Sequence, residues 1–297
     1  MIVVTTPTGR IGRQLITRLL EQEAAVRVIV RDAAQLDTDI RARVEVVEGS
    51  HADAAVLDLA LPGADALFWL VPPNPAAPSA EQHYLDFARA GAAAIRRHGV
   101  AHVVAVTSAG HDWTTSAGVL SAAFAMDAEL RTSGAGYRAV SLPFYMENLL
   151  GQADAIGLTG TLSLSCAVDQ PLAMIATQDI ASHAAGLLAD LSWSGQQDDP
   201  VFSPDRLTPE EIAAVIGEEL GRSVAYERVA LNDFAAMLRA RGASEQAVTD
   251  TVEMFAAQDA GIYDEDWATA TMAPTDFRTW CREVLVPAVR AADLQRA

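Results

Sequence analysis

Short apolar runs alternate with amphipathic helical patterns through the first half of the chain. The predicted strands cover residues Ile2–Thr5, Val26–Val30, 44–48, 66–71, 100–107 and 137–142. The helical patterns between them cover residues 10–22, Ala80–His98 and a segment that includes 127–132. Fully apolar strands separated by helices are typical of a parallel sheet that is covered on both faces. The pattern therefore predicts an α/β fold with a doubly wound, Rossmann-like parallel sheet.

This regular alternation weakens after Pro143. Predicted strands there cover residues 162–166, 174–176 and 224–229, and predicted helices cover 178–191, 212–220, 232–241, Glu245–Asp259 and 275–292. Thr208 and Pro209, followed by two acidic residues, are typical of a helix start. We expect a sheet domain at 1–150, to whose sheet residues 161–191 return, and a smaller α+β lobe mainly at 192–297. The two are interleaved, with no clean linker between them.

Composition narrows the classes of partner. The chain has 297 residues, of which 51% are hydrophobic and 20% charged, as in an ordinary globular protein. Its net charge of −18 argues against nucleic acid or an anionic membrane, because both require positive potential. Cys166 and Cys281 lie far apart, and no metal-ligand spacing is present. The N-terminus has neither a basic stretch nor a long apolar segment, so we expect no membrane contact and a cytoplasmic monomer or homodimer.

The first predicted strand leads directly into a glycine-containing loop at the head of the first predicted helix. Glycines at this place let backbone N–H groups approach a pyrophosphate closely, and the helix dipole favours the bound negative charge. The G-x-G-x-x-G pattern is replaced here by Thr6-x-x-Gly9-x-x-Gly12, so a Cβ stands at the first turn. The loop predicts a dinucleotide site whose contacts are Thr6, Thr8, Gly9, Arg10, Ile11 and Gly12.

Arg31 follows the second predicted strand, at the place where the adenosine ribose is recognised. An arginine there accommodates a 2′-phosphate, whereas an acid hydrogen-bonds the 2′-hydroxyl of NAD. Arg31 comes first after the strand and Arg10 adds a second cation, so we expect NADP(H) to be preferred over NAD(H). Asp32 would favour NAD instead if its side chain turned toward the nucleotide.

An ordered set of short segments gives the chain a resemblance to a known family. The segments are residues 8–12, Arg31, residues 49–53, 68–73, 102–110 and 129–134, residues 137–148 and residues 274–277. Over nearly the whole length, they resemble the NmrA-like family of atypical short-chain dehydrogenases/reductases, which are NAD(P)H-binding and quinone-oxidoreductase-like. The resemblance implies a dinucleotide-binding domain at 1–150, a substrate lobe mainly at 192–297, and NADP(H) across the carboxyl edge of the sheet.

The same resemblance implies cofactor contacts beyond the glycine loop. Ser50 and His51 would lie near the adenine, and Pro143 and Phe144 would lie beside the nicotinamide. The full set of these further expected contacts is Ser50, His51, Val71, Pro72, Thr107, Ser108, Pro143 and Phe144.

The chain contains no lysine, since all 21 of its Lys and Arg residues are arginine. Typical short-chain dehydrogenases use a Tyr-x-x-x-Lys pair, in which Lys lowers the pKa of the Tyr that delivers the proton. Without that relay, acceptors that need little acid from the protein remain, such as quinones and conjugated enones. His111 and Tyr145 are the candidate proton donors, with solvent as the alternative. The candidate substrate contacts are Trp113, Phe124, Met126, Tyr145 and Asn148.

The sequence thus predicts an NADPH-dependent oxidoreductase that reduces a small hydrophobic molecule of aromatic, quinone-like or enone-like character. Two other classes of function stay open. A nucleotide-sensing regulator without catalysis would also lack the proton relay. A cyclase or isomerase could use the same dinucleotide fold, because fold does not determine function.

Overall fold

Strands and helices alternate along most of the protein in a computed structural model that describes residues 1–296. The strands are β1 (Ile2–Thr5), β2 (Val26–Val30), β3 (Glu45–Glu48), β4 (Ala66–Trp69), β5 (His102–Ser108), β6 (Gly136–Leu142), β7 (Phe144–Tyr145), β8 (Thr161–Leu164), β9 (Leu172–Ile175), β10 (Gln196–Phe202), β11 (Arg206–Leu207), β12 (Ala225–Arg228) and β13 (Thr271–Met272). The α-helices are α1 (Arg10–Glu21), α2 (Thr38–Arg41), α3 (Ala54–Ala60), α4 (Ala80–His98), α5 (Val119–Arg131), α6 (Ala153–Thr159), α7 (Thr177–Ala189), α8 (Pro209–Leu220), α9 (Leu231–Ala240), α10 (Glu245–Asp259), α11 (Asp264–Thr269), α12 (Phe277–Trp280) and α13 (Val286–Arg296). Short 3₁₀ segments at Ala33–Gln35 and Met146–Gln152 and a π-helical turn at Cys281–Leu285 complete the order.

The largest sheet has eight strands in the order β3-β2-β1-β4-β5-β6-β10-β13, and every neighbouring pair in it is parallel. The chain runs outward from β1 to β3 and then returns to place β4 on the other side of β1. The loops after β1 and β4 therefore diverge, and a crevice opens between them at the carboxyl edge of the sheet. The predicted doubly wound, Rossmann-like sheet is confirmed.

Alternating side chains of the central strands enter two separate cores. Val4 and Phe68 pack with α1 and α7 on one face, whereas Val3 and Leu67 pack with α3, α4 and α5 on the other. Successive residues of a strand point to opposite faces, so strands covered on both sides must be apolar throughout. This requirement explains why the first half of the sequence shows continuous apolar runs.

The chain leaves the large sheet after β6 and builds a second lobe. There β7, β9 and β11 form one small sheet, and β8 pairs with β12 in another. The lobe has its own core, made by residues of α6, α8, α12, α13 and these short strands. Trp280 and Phe277 are stacked within it.

The expected return of residues 161–191 to the large sheet is wrong for their strands. Both β8 and β9 lie in the small sheets, and only α7 packs against the large one. The seventh strand of the large sheet is β10, which pairs with β6. Its sequence, Gln-Gln-Asp-Asp-Pro-Val-Phe, is mostly polar because one side of it carries only the two-residue β13. A polar run that includes Pro200 lacks the pattern of a buried strand.

Other elements match the predictions closely or differ at their ends. The helix start predicted at Thr208 is present, and Glu211 forms a capping box with Thr208. The last predicted helix is instead divided by the turn at Cys281–Leu285. Cys166 and Cys281 are buried free thiols. Among residues 1–296, no helix combines the length and the apolar character that a membrane crossing requires.

Candidate active site

A large cavity lies in the crevice at the carboxyl edge of the sheet. Its volume is about 1110 Å³. Pockets for a single small ligand commonly measure about 300–1,000 Å³, so the cavity has room for a dinucleotide together with a second small molecule. It is lined by the loops that follow β1, β2, β3 and β4, by the ends of β5 and β6, and by residues of α4, α5 and α10.

The glycine loop joins β1 to α1 and forms part of the cavity wall. Gly9 is the N-cap of α1 and supplies no side-chain cap. The amides of residues 10–12 have no acceptor among the described residues, so they are available to an anion. At Gly12 a Cβ would come within 2.2 Å of the Thr6 carbonyl oxygen, so only glycine lets the helix pack this closely on the loop.

Thr6 stands in the place of the first glycine of the pattern. Its φ of +50° lies in the left-handed region, which is uncommon for a residue with a Cβ. The chain therefore keeps the backbone path of a glycine loop with a threonine in it. Thr6 Oγ1 is enclosed by protein and has no hydrogen-bond partner.

Two unpaired arginines border the cavity near this loop. Arg10 and Arg31 are exposed, and neither forms a hydrogen bond or ion pair with a described residue. Asp32, by contrast, caps the following 3₁₀ turn, where its Oδ1 accepts a hydrogen bond from Ala34 N at 2.9 Å. Asp32 is turned away from the cavity, so the acid that would favour NAD is already engaged elsewhere. We call Thr6–Gly12 with Arg31 the loop end of the cavity.

His51 lies in the wall of the cavity after β3. It packs edge-on against Trp69 with ring centroids 5.0 Å apart, and against Phe87 at 4.6 Å. Burial lowers the pKa of His51 to about 4, against the opposing effect of a hydrogen bond with the Leu70 backbone, and the charges of His83 and Arg31 lower it further. The imidazole is therefore neutral at physiological pH.

The carboxyl ends of β5 and β6 form the middle of the cavity wall. Ser108 Oγ donates to the Ala109 carbonyl at 2.9 Å, whereas Thr107 Oγ1 is enclosed without a partner. Pro143 follows β6 and turns the chain into β7. The orphaned hydroxyls of Thr6 and Thr107, the free amides at the head of α1 and the unpaired arginines together fit a dinucleotide phosphate and ribose chain.

Three of the five tyrosines line the cavity beyond this point. Tyr84 is on α4, Tyr145 is on β7 and Tyr263 follows α10. Burial raises the pKa of Tyr84 to about 12, and burial with the neighbouring Tyr84, Tyr263 and Glu147 raises the pKa of Tyr145. Burial also raises the pKa of Tyr263 to about 12, against the opposing effect of Gln258 and Ser108. All three phenols are protonated at physiological pH. We call the part of the cavity that they line the phenol end.

Helix α10 closes one side of the phenol end. Gly118 lies so close to it that a Cβ there would come 1.8 Å from the Asp250 carbonyl oxygen. Asp250 Oδ2 in turn accepts a hydrogen bond from Ala80 N at 3.2 Å, which ties α10 to the start of α4. The side chains that α10 presents to the cavity are Met254, Phe255 and Gln258.

Glu147 fixes the segment that carries Tyr145. Its carboxylate accepts hydrogen bonds from Thr177 N and from Thr177 Oγ1 at 2.8 Å, and from Trp280 Nε1 at 3.1 Å. These bonds join β7 to the start of α7 and to the core of the second lobe. Tyr145 is therefore held in position by contacts from both lobes.

The structure brings together all fifteen residues that were predicted to hold the cofactor. Each of them lines the cavity, from Thr6 in the glycine loop to Phe144 after β6, and Tyr145 and Asn148 line it as well.

His111, the other predicted proton donor, does not line the cavity. His111 Nε2 is 2.9 Å from Asp127 Oδ2, and the ring packs on Phe124 with centroids 4.5 Å apart. Burial lowers the pKa of His111, but hydrogen bonding to Asp127 and the charges of Asp127 and Asp198 outweigh this and leave it raised. The loop after β5 turns toward α5 and β10, where two carboxylates hold the imidazole.

The predicted substrate contacts Trp113, Phe124 and Met126 do not line the cavity either. Trp113 and Phe124 pack in the apolar cluster around Phe202, which also includes the cavity residues Leu120 and Tyr263. Met126 is fully buried on the sheet, because it lies about 9 Å further along α5 than the cavity residue Leu120. Helix α5 reaches the cavity through its first turns instead, with Leu120 and Ala123.

Sequence reasoning missed much of the phenol end. The missed residues are Tyr84 and Phe87 on α4, Leu120 and Ala123 on α5, and Met254, Phe255, Gln258 and Tyr263 around α10. The sequence does contain a feature that points to α4 as part of the site, because this helix follows Pro72 and Pro73 at the carboxyl edge of the sheet, where ligands bind. No such sequence feature points to α10, since its approach to the cavity depends on contacts between distant parts of the chain.

Comparison with known proteins places this architecture in a family. A family model described as the NmrA-like family matches residues 1–278. The chain belongs to the NmrA-like family.

Two curated relatives illustrate what this NmrA-like chain is similar to. It is 30% identical over 242 residues, or 81% of each chain, to a (4-alkanoyl-5-oxo-2,5-dihydrofuran-3-yl)methyl phosphate reductase of Streptomyces griseus. It is 27% identical over 244 residues, or 82% of each chain, to quinone oxidoreductase 2 of Escherichia coli.

One solved structure extends the similarity of this NmrA-like chain to the fold. The triphenylmethane reductase of Citrobacter sp., crystallised with NADP(H), superposes with a TM-score of 0.79 at 19% identity, covering 98% of this chain and 100% of that one. At this identity the match supports the fold.

Proposed function

We propose that the protein is an NADPH-dependent reductase of a small hydrophobic carbonyl compound of the quinone or enone class. The observation that carries the proposal is the cavity itself, which joins a loop end suited to a dinucleotide with an apolar, phenol-lined end. The curated relatives support it, since their names describe a quinone oxidoreductase and a reductase of an oxo-substituted, alkanoyl-substituted dihydrofuran.

The loop end supports NADP(H) over NAD(H). Arg10 and Arg31 are unpaired beside the glycine loop, while Asp32 is engaged as a cap. A guanidinium at this place suits a 2′-phosphate, to which it forms charge-assisted hydrogen bonds. The pyrophosphate would lie on the free amides of residues 10–12, and the neutral His51 would pack near the adenine without bringing a charge.

The phenol end supports an uncharged, flat substrate. Phe87, Leu120 and Phe255 are among its apolar walls, and the three tyrosines add polar edges without charge. The two arginines of the cavity both lie at the loop end, so a phosphorylated substrate such as that named for the Streptomyces relative is not favoured here.

The reduction can be assigned to the cofactor and the cavity residues without a lysine. Bound NADPH supplies a hydride. The chain's part is to orient the nicotinamide with Thr107, Ser108, Pro143 and Phe144, to bound one side of the substrate chamber with α10, and to hold the substrate oxygen with phenol hydroxyls. Because the phenols are protonated, they act as hydrogen-bond donors and the proton comes from solvent.

A nucleotide sensor without catalysis is the alternative that the missing lysine leaves open. The extent of the cavity argues against it, because a sensor does not need an apolar chamber beyond the nucleotide. A direct test is to mix the protein with NADPH and follow the nicotinamide absorbance across a panel of quinones and enones. We expect NADPH consumption that depends on the added acceptor. Tight nucleotide binding with no turnover would favour the sensor, and absence of nucleotide binding would contradict both.

A further inference from the structure

Two hydroxyl groups at the phenol end have no partner. Neither the hydroxyl of Tyr84 nor that of Tyr145 forms a hydrogen bond with a described residue. Neither is fully enclosed by protein, so both are reachable from the cavity. The Tyr263 hydroxyl differs, since it accepts a hydrogen bond from Gln258 Nε2 at 3.0 Å. Two of the three phenols therefore have no hydrogen-bond partner among the described residues, whereas the oxygen of the third is already bound by Gln258.

The two free phenols also line the same end of one cavity. Tyr84 lies on α4 and Tyr145 on β7, so the fold brings them to this cavity from distant parts of the chain. Tyr145 is held by the bonds of its neighbour Glu147 to the second lobe, and Tyr84 is only 9% exposed on the helix that covers the sheet. Both hydroxyls thus stand in fixed places on opposite lobes of the protein.

We propose that Tyr84 and Tyr145 donate hydrogen bonds together to one carbonyl oxygen of the substrate and stabilise the negative charge that forms there during reduction. This inference rests on the proposed function and assigns the atom by which the substrate is held. Donors that are already in place around a developing oxyanion bind it more strongly than the neutral carbonyl, because the bonds become charge-assisted.

In this reaction the two tyrosines donate hydrogen bonds but keep their protons. The substrate receives a hydride, with its two electrons, and its carbonyl oxygen takes up the negative charge as the π-bond shifts. An ordinary phenol has a pKa near 10, and a hydroquinone is a phenol of this kind, so tyrosines with raised pKa values do not give up their protons to it. Solvent supplies the one proton that neutralises the oxyanion, and the reduced product and the oxidised nicotinamide dinucleotide leave.

Binding to the NADP⁺-loaded protein tests the inference without turnover. The probes are 2-methyl-1,4-naphthoquinone and 2-methylnaphthalene, which share a ring system and differ in the carbonyl groups. We expect Tyr84→Phe and Tyr145→Phe each to weaken binding of the quinone by roughly threefold to tenfold and to leave binding of the hydrocarbon unchanged. With NADPH, kcat/KM for the quinone should fall further than the binding does, with no new ionisation from about pH 6 to about pH 9.

Tyr226→Phe is the matched control, because Tyr226 lies outside the cavity and donates its hydroxyl to the Cys166 carbonyl at 2.6 Å. It should leave the binding of both probes unchanged. Equal weakening of both probes in the Tyr84 and Tyr145 variants would show a packing role and overturn the inference. So would unchanged binding, or a wild-type protein that does not bind the quinone. A quinone-specific loss in a protein that turns over no carbonyl compound would refute the proposed function and leave the pair of donors in place.

Discussion

The two ends of the cavity are built from different parts of the chain. The loop end is made by seven consecutive residues, Thr6–Gly12, with Arg31, and its main groups are backbone amides and guanidinium charges. The phenol end is made by side chains from α4, α5, β7 and α10, which are far apart in sequence and carry no full charge. A surface made of backbone depends on the position of single atoms, whereas one made of side chains adapts when a side chain changes. The two ends should therefore respond to substitution in different ways.

The largest effect is expected where one atom would disrupt the loop end. A Cβ at residue 12 would come within 2.2 Å of the Thr6 carbonyl oxygen, so Gly12→Val must displace the loop or the helix. We expect NADPH affinity to fall by at least about a hundredfold and the melting temperature to fall as well. Calorimetric titration and thermal unfolding measure the two.

Gly186→Ala is the control for this substitution. Gly186 lies within α7, and a Cβ there would meet no atom within 4 Å. Alanine is a better helix former than glycine, so this variant should be as stable as the wild type or slightly more stable, with unchanged NADPH binding. If Gly12→Val also bound NADPH normally, the loop end would not be the dinucleotide site.

His51 makes the stability of the protein depend on pH. Its pKa is about 4 in the folded protein against 6.5 when it is exposed, because burial disfavours the charged imidazole. Below pH 6.5 the unfolded chain therefore takes up a proton that the folded protein refuses. The stabilisation from the neutral imidazole is fully present above pH 6.5 and is lost as the pH falls toward about 4. The expected loss is about 3 kcal/mol in the free energy of unfolding.

Chemical denaturation of the wild type and of His51→Phe across this range measures the effect. The variant keeps an aromatic ring between Trp69 and Phe87 but cannot take up a proton. Its free energy of unfolding should fall less steeply on acidification. Between pH 6.5 and pH 4, unfolding of the variant should take up about one proton fewer than unfolding of the wild type. Parallel curves for the two proteins would show that His51 is not held neutral.

Arg31 tests whether the loop end distinguishes NADPH from NADH. Arg31→Ala should weaken NADPH binding by roughly tenfold, the value of one charge-assisted hydrogen bond, and leave NADH binding unchanged. Arg41→Ala removes a positive charge from α2 outside the cavity and should affect neither. Equal losses for both nucleotides in Arg31→Ala would mean that this arginine does not contact the 2′-phosphate.

The same division decides how much of the site could be predicted from the sequence. The loop end depends on local geometry, namely a strand, a glycine turn and a helix start in one short segment, and such a segment has a recognisable pattern. The lining residues of the later segments, from Ser50 to Phe144, were expected from the family resemblance. They meet in the cavity because the carboxyl ends of parallel strands lie at one edge of the sheet.

The phenol end could not be predicted in this way. His111 was expected at the site because it follows β5 at the carboxyl edge of the sheet, and Met126 because it could wall a substrate pocket, but neither lines the cavity. The loop instead turns toward Asp127 and Asp198, and α5 turns Met126 into the core. Likewise β10 was missed because a strand near the edge of the sheet need not be apolar. Which side chains meet at the phenol end depends on packing between lobes, and no local pattern encodes that packing.

The smallest effect is expected at the phenol end, where a side chain can change without disturbing the nucleotide. Ala123 lies on α5 and lines the cavity, so Ala123→Leu would reduce the space for the substrate. We expect the KM for 2-methyl-1,4-naphthoquinone to rise by roughly threefold to tenfold, which corresponds to a loss of about 1 kcal/mol in the free energy of substrate binding. The Kd for NADPH should stay the same. Ala128→Leu makes the same change at an exposed position of the same helix and should alter neither quantity. A loss of NADPH affinity in Ala123→Leu would show that the two ends are coupled, and the separation between a backbone-built and a side-chain-built end would then fail.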